Sequence, residues 1–178
     1  MTLSKMMKIA VQDHWLEIRS IAPDDLEAVV ELYGQCEDFL RLNELPAASM
    51  KMVLDDLELS KAEGGVFCGI YTDDGKMIGV VDYVPCGYHG AADTAYLQLL
   101  MIAASQRKQG IGKAVVEAVE NEIRKNPNVT TIVSGVAVNN PLAIQFWQRN
   151  GYRIVSEPIY YPGQGTGFDL RKDLEPGV

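Results

Sequence analysis

The stretch Thr94 to Ile102 (TAYLQLLMI) is the most apolar in the chain and reads as a central strand. It runs into Arg107-Lys108-Gln109-Gly110-Ile111-Gly112-Lys113, and an amphipathic helix starts there. Over Gly110 to Lys125, Ile111, Ala114, Val115, Ala118, Val119 and Ile123 share one helical face. Strand, glycine loop and helix together form a device for holding an anion. The first N–H groups of a helix lack internal partners, and the helix dipole puts partial positive charge at that end. Glycines remove the side chains that would keep a phosphate away from those N–H groups. Arg107, Lys108 and Lys113 add local positive charge.

That device stands out against the composition. Sixteen Lys and Arg against 24 Asp and Glu give a net charge of −8 over 178 residues. Such a chain has no broad basic field for a nucleic-acid backbone, so no nucleic-acid partner is expected. A cationic partner such as an amine is drawn toward the overall field. No run of about 20 apolar residues marks a membrane span. Met1 to Val11 lacks the long apolar stretch of a signal peptide. Cys36, Cys68 and Cys86 form no CxxC pair, and His14 and His89 are the only histidines. No metal site is expected, and reduced thiols point to a cytoplasmic protein. Cys68 and Cys86 read as small buried residues.

The length fits one domain over 1–178, with a core at about 15–174 and an extension over 1–14. Trp15 to Arg19 reads as a strand. Pro23-Asp24-Asp25 opens a helix, since Pro suits a first turn and acids suit the positive end of the dipole. A second helix is predicted at about Ala47 to Lys61, stopped by Gly64-Gly65. Val66 to Tyr71 and Met77 to Val84 flank Thr72-Asp73-Asp74-Gly75, a strong hairpin signal. Val129 to Val138 is another strand, Pro141 to Asn150 a helix capped by Gly151. Tyr152 to Val155 and Phe168 to Lys172 close the chain as strands. The order is mixed, which predicts an α/β sheet with antiparallel parts.

Two familiar phosphate motifs fail. A P-loop requires Ser or Thr after Gly112-Lys113, where Ala114 stands, and Gly where Arg107 stands. A dinucleotide fingerprint requires Gly or Ala where Val115 stands. The loop does fit R-x-x-G-x-G, and about 30 residues later comes Asn140-Pro141-Leu142-Ala143-Ile144-Gln145-Phe146-Trp147-Gln148-Arg149-Asn150-Gly151-Tyr152. Together, in this order and context, the two blocks resemble the signatures of the GNAT superfamily of acetyl-CoA-dependent N-acyltransferases.

The resemblance implies a mixed, mostly antiparallel central sheet flanked by helices, with two central parallel strands that splay apart. It implies acetyl-CoA as cosubstrate, with the pantetheine arm pairing with the backbone of Leu100 and Ile102 as an added strand would. The pyrophosphate would lie on N–H groups among Arg107, Lys108, Gln109, Gly110, Ile111, Gly112 and Lys113. Asn140 would hydrogen-bond the cosubstrate, and Phe146 and Trp147 would flank the thiol end. The Leu100 N–H would stabilise the oxyanion of acyl transfer. The partner implied is a small-molecule or peptide amine, and family members are often homodimers.

The proton-transfer groups do not carry over. Many members have a Tyr acid where Trp147 stands, and indole has no acidic proton for that task. Many have a Glu base on the central strand, which here offers Tyr96 and Gln98 instead. Asp82 on the neighbouring strand, or a water chain ending at Tyr96 or Gln98, is the expected base. Simple alternation places Tyr96, Gln98 and Leu100 on one face of the strand. Glu31, Glu37 and Asp38 fall where the family builds one wall of the acceptor pocket, and Tyr160 and Tyr161 where a loop covers it. The alternative readings are a non-catalytic CoA-binding module, which would need neither acid nor base, and a nucleotide-dependent phosphotransferase.

Overall fold

A computed structural model describes residues 6–175. Nine strands form one sheet: β1 (Met6–Val11), β2 (His14–Ser20), β3 (Val66–Thr72), β4 (Met77–Val84), β5 (Thr94–Ile102), β6 (Thr131–Ala137), β7 (Arg153–Ile154), β8 (Ile159–Tyr161) and β9 (Gly165–Asp173). The spatial order is β1-β2-β3-β4-β5-β6-β9-β7, with β8 also pairing β9. Neighbours are antiparallel except β5 and β6, which run parallel. The expected mixed, mostly antiparallel sheet is present. Three elements were not legible in the sequence. Met6–Val11, read as part of an extension, pairs with β2 as an edge strand. A short helix, α2 (Glu37–Leu42), follows α1 (Leu26–Gly34). The Pro- and Gly-rich stretch before β9 contains β8.

Helices cover both faces. α1, α2 and α3 (Met50–Ala62) bury Val29, Leu32, Tyr33 and Val53 against Phe67, Val80 and Met101. α4 (Ile111–Ile123) lays Ile111, Val115, Val116, Val119 and Ile123 on the opposite face, against Ile70, Val81, Leu97 and Ile132. α5 (Pro141–Arg149) adds Trp147 to that second core. Gly151 follows it with φ +88°, a left-handed turn that favours glycine. Beside α5, the buried Glu120 carboxylate takes hydrogen bonds from Lys172 Nζ at 2.7 Å and from the Tyr152 hydroxyl at 3.1 Å. These bonds tie α4 to β9 and to the end of α5, so the two motif-bearing helices are anchored to the same sheet. Tyr152 is thereby structural.

Candidate active site

The site is built where β5 and β6 part. They pair only through Thr94–Thr131, Ala95–Ile132 and Tyr96–Val133. At the fork the buried Ser134 hydroxyl donates to the Leu97 carbonyl at 2.8 Å. Beyond it β6 stays paired with β9 through Ala137–Gly167, and β5 stays paired with β4 through Ile102–Gly79. Each strand leaves with its outer neighbour, and a cleft opens between them.

The direction of the β5 backbone decides what faces this cleft. Ala103 N–H donates to Ile78 on β4 at 2.9 Å. Backbone groups alternate along an extended strand. Leu100 and Ile102 therefore point theirs away from β4, into the cleft. The Ile102 carbonyl is already engaged, since Arg107 Nε–H donates to it at 2.9 Å and the Cys36 thiol lies 3.5 Å away. That leaves both backbone groups of Leu100 and the N–H of Ile102.

A bulge corrects the expected alternation. Asp82 pairs with Leu99 but Tyr83 pairs with Leu97, so Gln98 is an extra residue in β5. A bulge resets which side chains share a face. Ala95 and Leu97 lie in the core under α4, but so do Leu100 and Ile102. Leu99 and Met101 face α1–α3 instead. Tyr96, Gln98 and Leu100 thus do not form one row. Gln98 and Leu99 stand opposite Asp82, and the α1–α3 face receives Tyr96, Gln98 and Asp82 together.

Asp82 is 1% exposed and accepts the Ser60 hydroxyl at 2.7 Å. Burial pushes its carboxyl up to about 6, against the pull of the Ser60 hydrogen bond and with help from the charges of Asp56 and Glu63. It is ionised at neutral pH yet basic enough to take a proton. Burial also pushes the Tyr96 phenol up, so it stays protonated and serves as a donor. Its ring stacks on Tyr88 with centroids 4.1 Å apart. The exposed His89 stacks on the far side of Tyr88. Glu63 Oε2 and Gln98 Oε1 are buried without a hydrogen-bond partner among the described residues. Neither Glu63 nor Tyr88 was singled out from sequence. Each sits at an element end with no motif around it.

At the far end of β5 stands the glycine loop. Gly110 caps α4 with φ +82°, and no side chain caps the helix. A Cβ on Gly110 would meet nothing within 4 Å, so its surface side is open. A Cβ on Gly112 would lie 3.2 Å from the Phe146 ring, which puts Phe146 beside the loop. Two of the loop's cations have acidic partners. Arg107 makes a bidentate ion pair with Asp38, one arm at 3.1 Å, and Lys113 pairs with Glu117 at 2.8 Å. Arg107 holds the Asp38 carboxyl below the usual range. Asp38 therefore anchors α2 to the loop rather than standing as a free acid. Lys108 is exposed in a left-handed conformation, φ +63°.

Further residues singled out from the sequence take defined places, and the expected burial of Cys86 is corrected. Trp147 is buried in the core, edge-on to Tyr152 at 4.9 Å and to Phe146 at 5.3 Å. The Asn140 side-chain oxygen caps α5 by accepting Ala143 N–H at 3.1 Å, so that oxygen is not free for a ligand. Cys86 is exposed, and only Cys36 and Cys68 are buried. Tyr161 lies in β8 and donates to Asp169, while Tyr160 is exposed. Among the described residues no group of three or more His, Cys, Asp or Glu is placed to hold a metal ion. Among them, no helix is long and apolar enough to cross a membrane.

The split parallel pair and the helix-capping glycine loop agree with the comparison to known families. The sequence matches the acetyltransferase (GNAT) family over residues 26–152. The chain belongs to that family. As a GNAT acetyltransferase it shares its fold with an acetyltransferase from Thermus thermophilus, at 20% identity and TM-score 0.74, covering 94% of this chain and 100% of that one. It is also similar to the PaiA N-acetyltransferase from Thermoplasma acidophilum, solved with coenzyme A, at 18% identity and TM-score 0.68, covering 89% and 99%. A third likeness is to the ribosomal-protein-S18-alanine N-acetyltransferase from Escherichia coli, at 18% identity and TM-score 0.67, covering 92% and 96%. Among curated proteins no sequence matches.

Proposed function

We propose that this GNAT acetyltransferase moves the acetyl group of acetyl-CoA to a primary amine by direct attack within a ternary complex. The observation that carries the reading is the fork. Past Tyr96–Val133 the cleft presents Leu100 backbone groups at one wall, with an uncapped, glycine-led helix N-terminus at the strand's end. An extended amide-bearing arm fits the wall as an added strand, and a pyrophosphate fits the N–H groups from Gly110 to Lys113. The residues present therefore suit acetyl-CoA. The bound cosubstrate supplies an activated thioester.

The chain supplies the rest. Leu100 N–H stabilises the oxyanion as the amine nitrogen adds to the thioester carbon. The C–N bond forms, the C–S bond breaks, and CoA leaves with the electron pair. An alkylammonium of pKa about 10 has no lone pair at neutral pH, so it must first lose a proton. Asp82 takes that proton, with Gln98 and the Tyr96 phenol lining the approach. Trp147 supplies no acid; the CoA thiolate leaves unprotonated and then takes the second proton, which the nitrogen sheds as the tetrahedral adduct collapses.

A thermal melt with acetyl-CoA, CoA, Mg-ATP and NAD in parallel tests the cosubstrate. A ligand at about 100 times its Kd adds about 2.7 kcal/mol, a rise of roughly 5–10 °C at this chain length. The reading requires a shift with both CoA species. A shift with Mg-ATP or NAD alone overturns it. A CoA shift without turnover on a broad amine panel favours a binding module.

A further inference from the structure

Among the described residues, two buried acceptor oxygens without donors lie on the face that carries Asp82. Glu63 is the C-cap of α3, and two residues on, a Cβ at Gly65 would sit 3.2 Å from Asp82 Oδ1. Gln98 bulges from β5 beside the Asp82–Leu99 pair. The charge of Glu63 thus bears on Asp82 from the helix side, and the Gln98 bulge stands beside it on the strand side. An unpaired buried acceptor is costly, and a group that brings N–H donors removes the cost. The charge of Glu63 also bears on Tyr96, whose ring is covered on one side by Tyr88, and a tyrosine ring face attracts a cation. The charges that bear on these two rings come from Glu63 and Asp169, both acidic.

We propose that the acceptor is an aliphatic diamine or polyamine, and that Glu63, Gln98 and the Tyr96 ring hold its second, non-reacting ammonium. This rests on the amine-acetyltransferase reading above. A carboxylate that pairs with an ammonium keeps it protonated, so a nitrogen held by Glu63 is not the nucleophile. The reacting nitrogen must shed its proton beside Asp82. One acceptor that satisfies both demands carries two amino groups on a flexible stem. The charge balance of the whole chain draws such a substrate in.

The test is calorimetric titration of 1,4-diaminobutane, with 1-aminobutane as control, into the full chain saturated with CoA. The diamine should bind at least tenfold more tightly than the monoamine. Glu63→Gln should erase most of that preference while leaving CoA affinity unchanged. Tyr96→Leu, which removes one ring face, should weaken diamine binding in a protein whose Glu63 is intact. No diamine binding, equal binding of both amines, or a Glu63→Gln variant with the wild-type preference overturns the proposal. Because this readout is binding, it separates from turnover: diamine binding without acetylation sinks the catalytic reading and leaves the pocket standing. Acetylation of other amines with Glu63→Gln silent sinks the pocket alone.

Discussion

The Ser134 hydroxyl donates to the Leu97 carbonyl at 2.8 Å, and this is the side-chain tie that spans β5 and β6 where their backbones stop pairing. It satisfies a carbonyl that the departing strand would otherwise orphan. The cleft that the proposed chemistry needs begins at this bond.

Ser134→Ala should therefore cost more than a surface change. It leaves a buried carbonyl without a donor, a loss of about 1–3 kcal/mol. Urea unfolding should show that loss as a lower midpoint at unchanged slope. The KM for acetyl-CoA should rise with it, because the fork is no longer pinned. Unchanged stability would mean that the bond merely accompanies the split.

Gly110→Ala tests the loop by backbone alone. Gly110 holds φ +82° with open space where a Cβ would go, so strain rather than collision is introduced. A left-handed conformation costs an L-residue about 1–2 kcal/mol. Any relaxation turns the first N–H groups of α4. CoA affinity should fall roughly tenfold, by calorimetry, with the unliganded melt displaced by only a few degrees.

Asp82 predicts a pH dependence of known sign. Unfolded, an Asp titrates near 3.9, and burial holds it at about 6 in the fold. Between those values the folded chain keeps a proton that the unfolded chain has released. Its contribution to stability is thus fully present below about pH 4, falls as pH rises to about 6, and is level above. Two units correspond to about 3 kcal/mol. The difference in unfolding free energy between Asp82→Asn and the parent should trace that slope. If Asp82 is the base, kcat/KM also loses the limb that rises near pH 6 and drops by at least tenfold. A variant with the parent's rate and profile excludes the role.

Much of this was legible in the sequence because it rests on short-range rules. The hairpin over Thr72–Gly75, the strand Thr94–Ile102 and the α4 stripe follow from local spacing and turn chemistry. The glycine loop was legible because few devices hold a phosphate. The bulge at Gln98 was not, because it arises from pairing with β4, far away in sequence. The same holds for Arg107, whose partner Asp38 is 69 residues away. Met6–Val11 was missed because apolar Met6 and Ala10 stand at exposed positions, so its alternating burial is not mirrored by alternating polarity. Glu63 and Tyr88 belong to no motif, and only the fold brings them to Asp82 and Tyr96.

The central claim is acetyl transfer from acetyl-CoA to an amine. Its most direct test incubates the full chain with acetyl-CoA and a panel of mono-, di- and peptide amines, and measures free thiol together with acetylated product. The account predicts equimolar CoA and N-acetyl product, with diamines fastest and Asp82→Asn slow. Thiol release without acetylated amine, or none at all with any member of the panel, would contradict it.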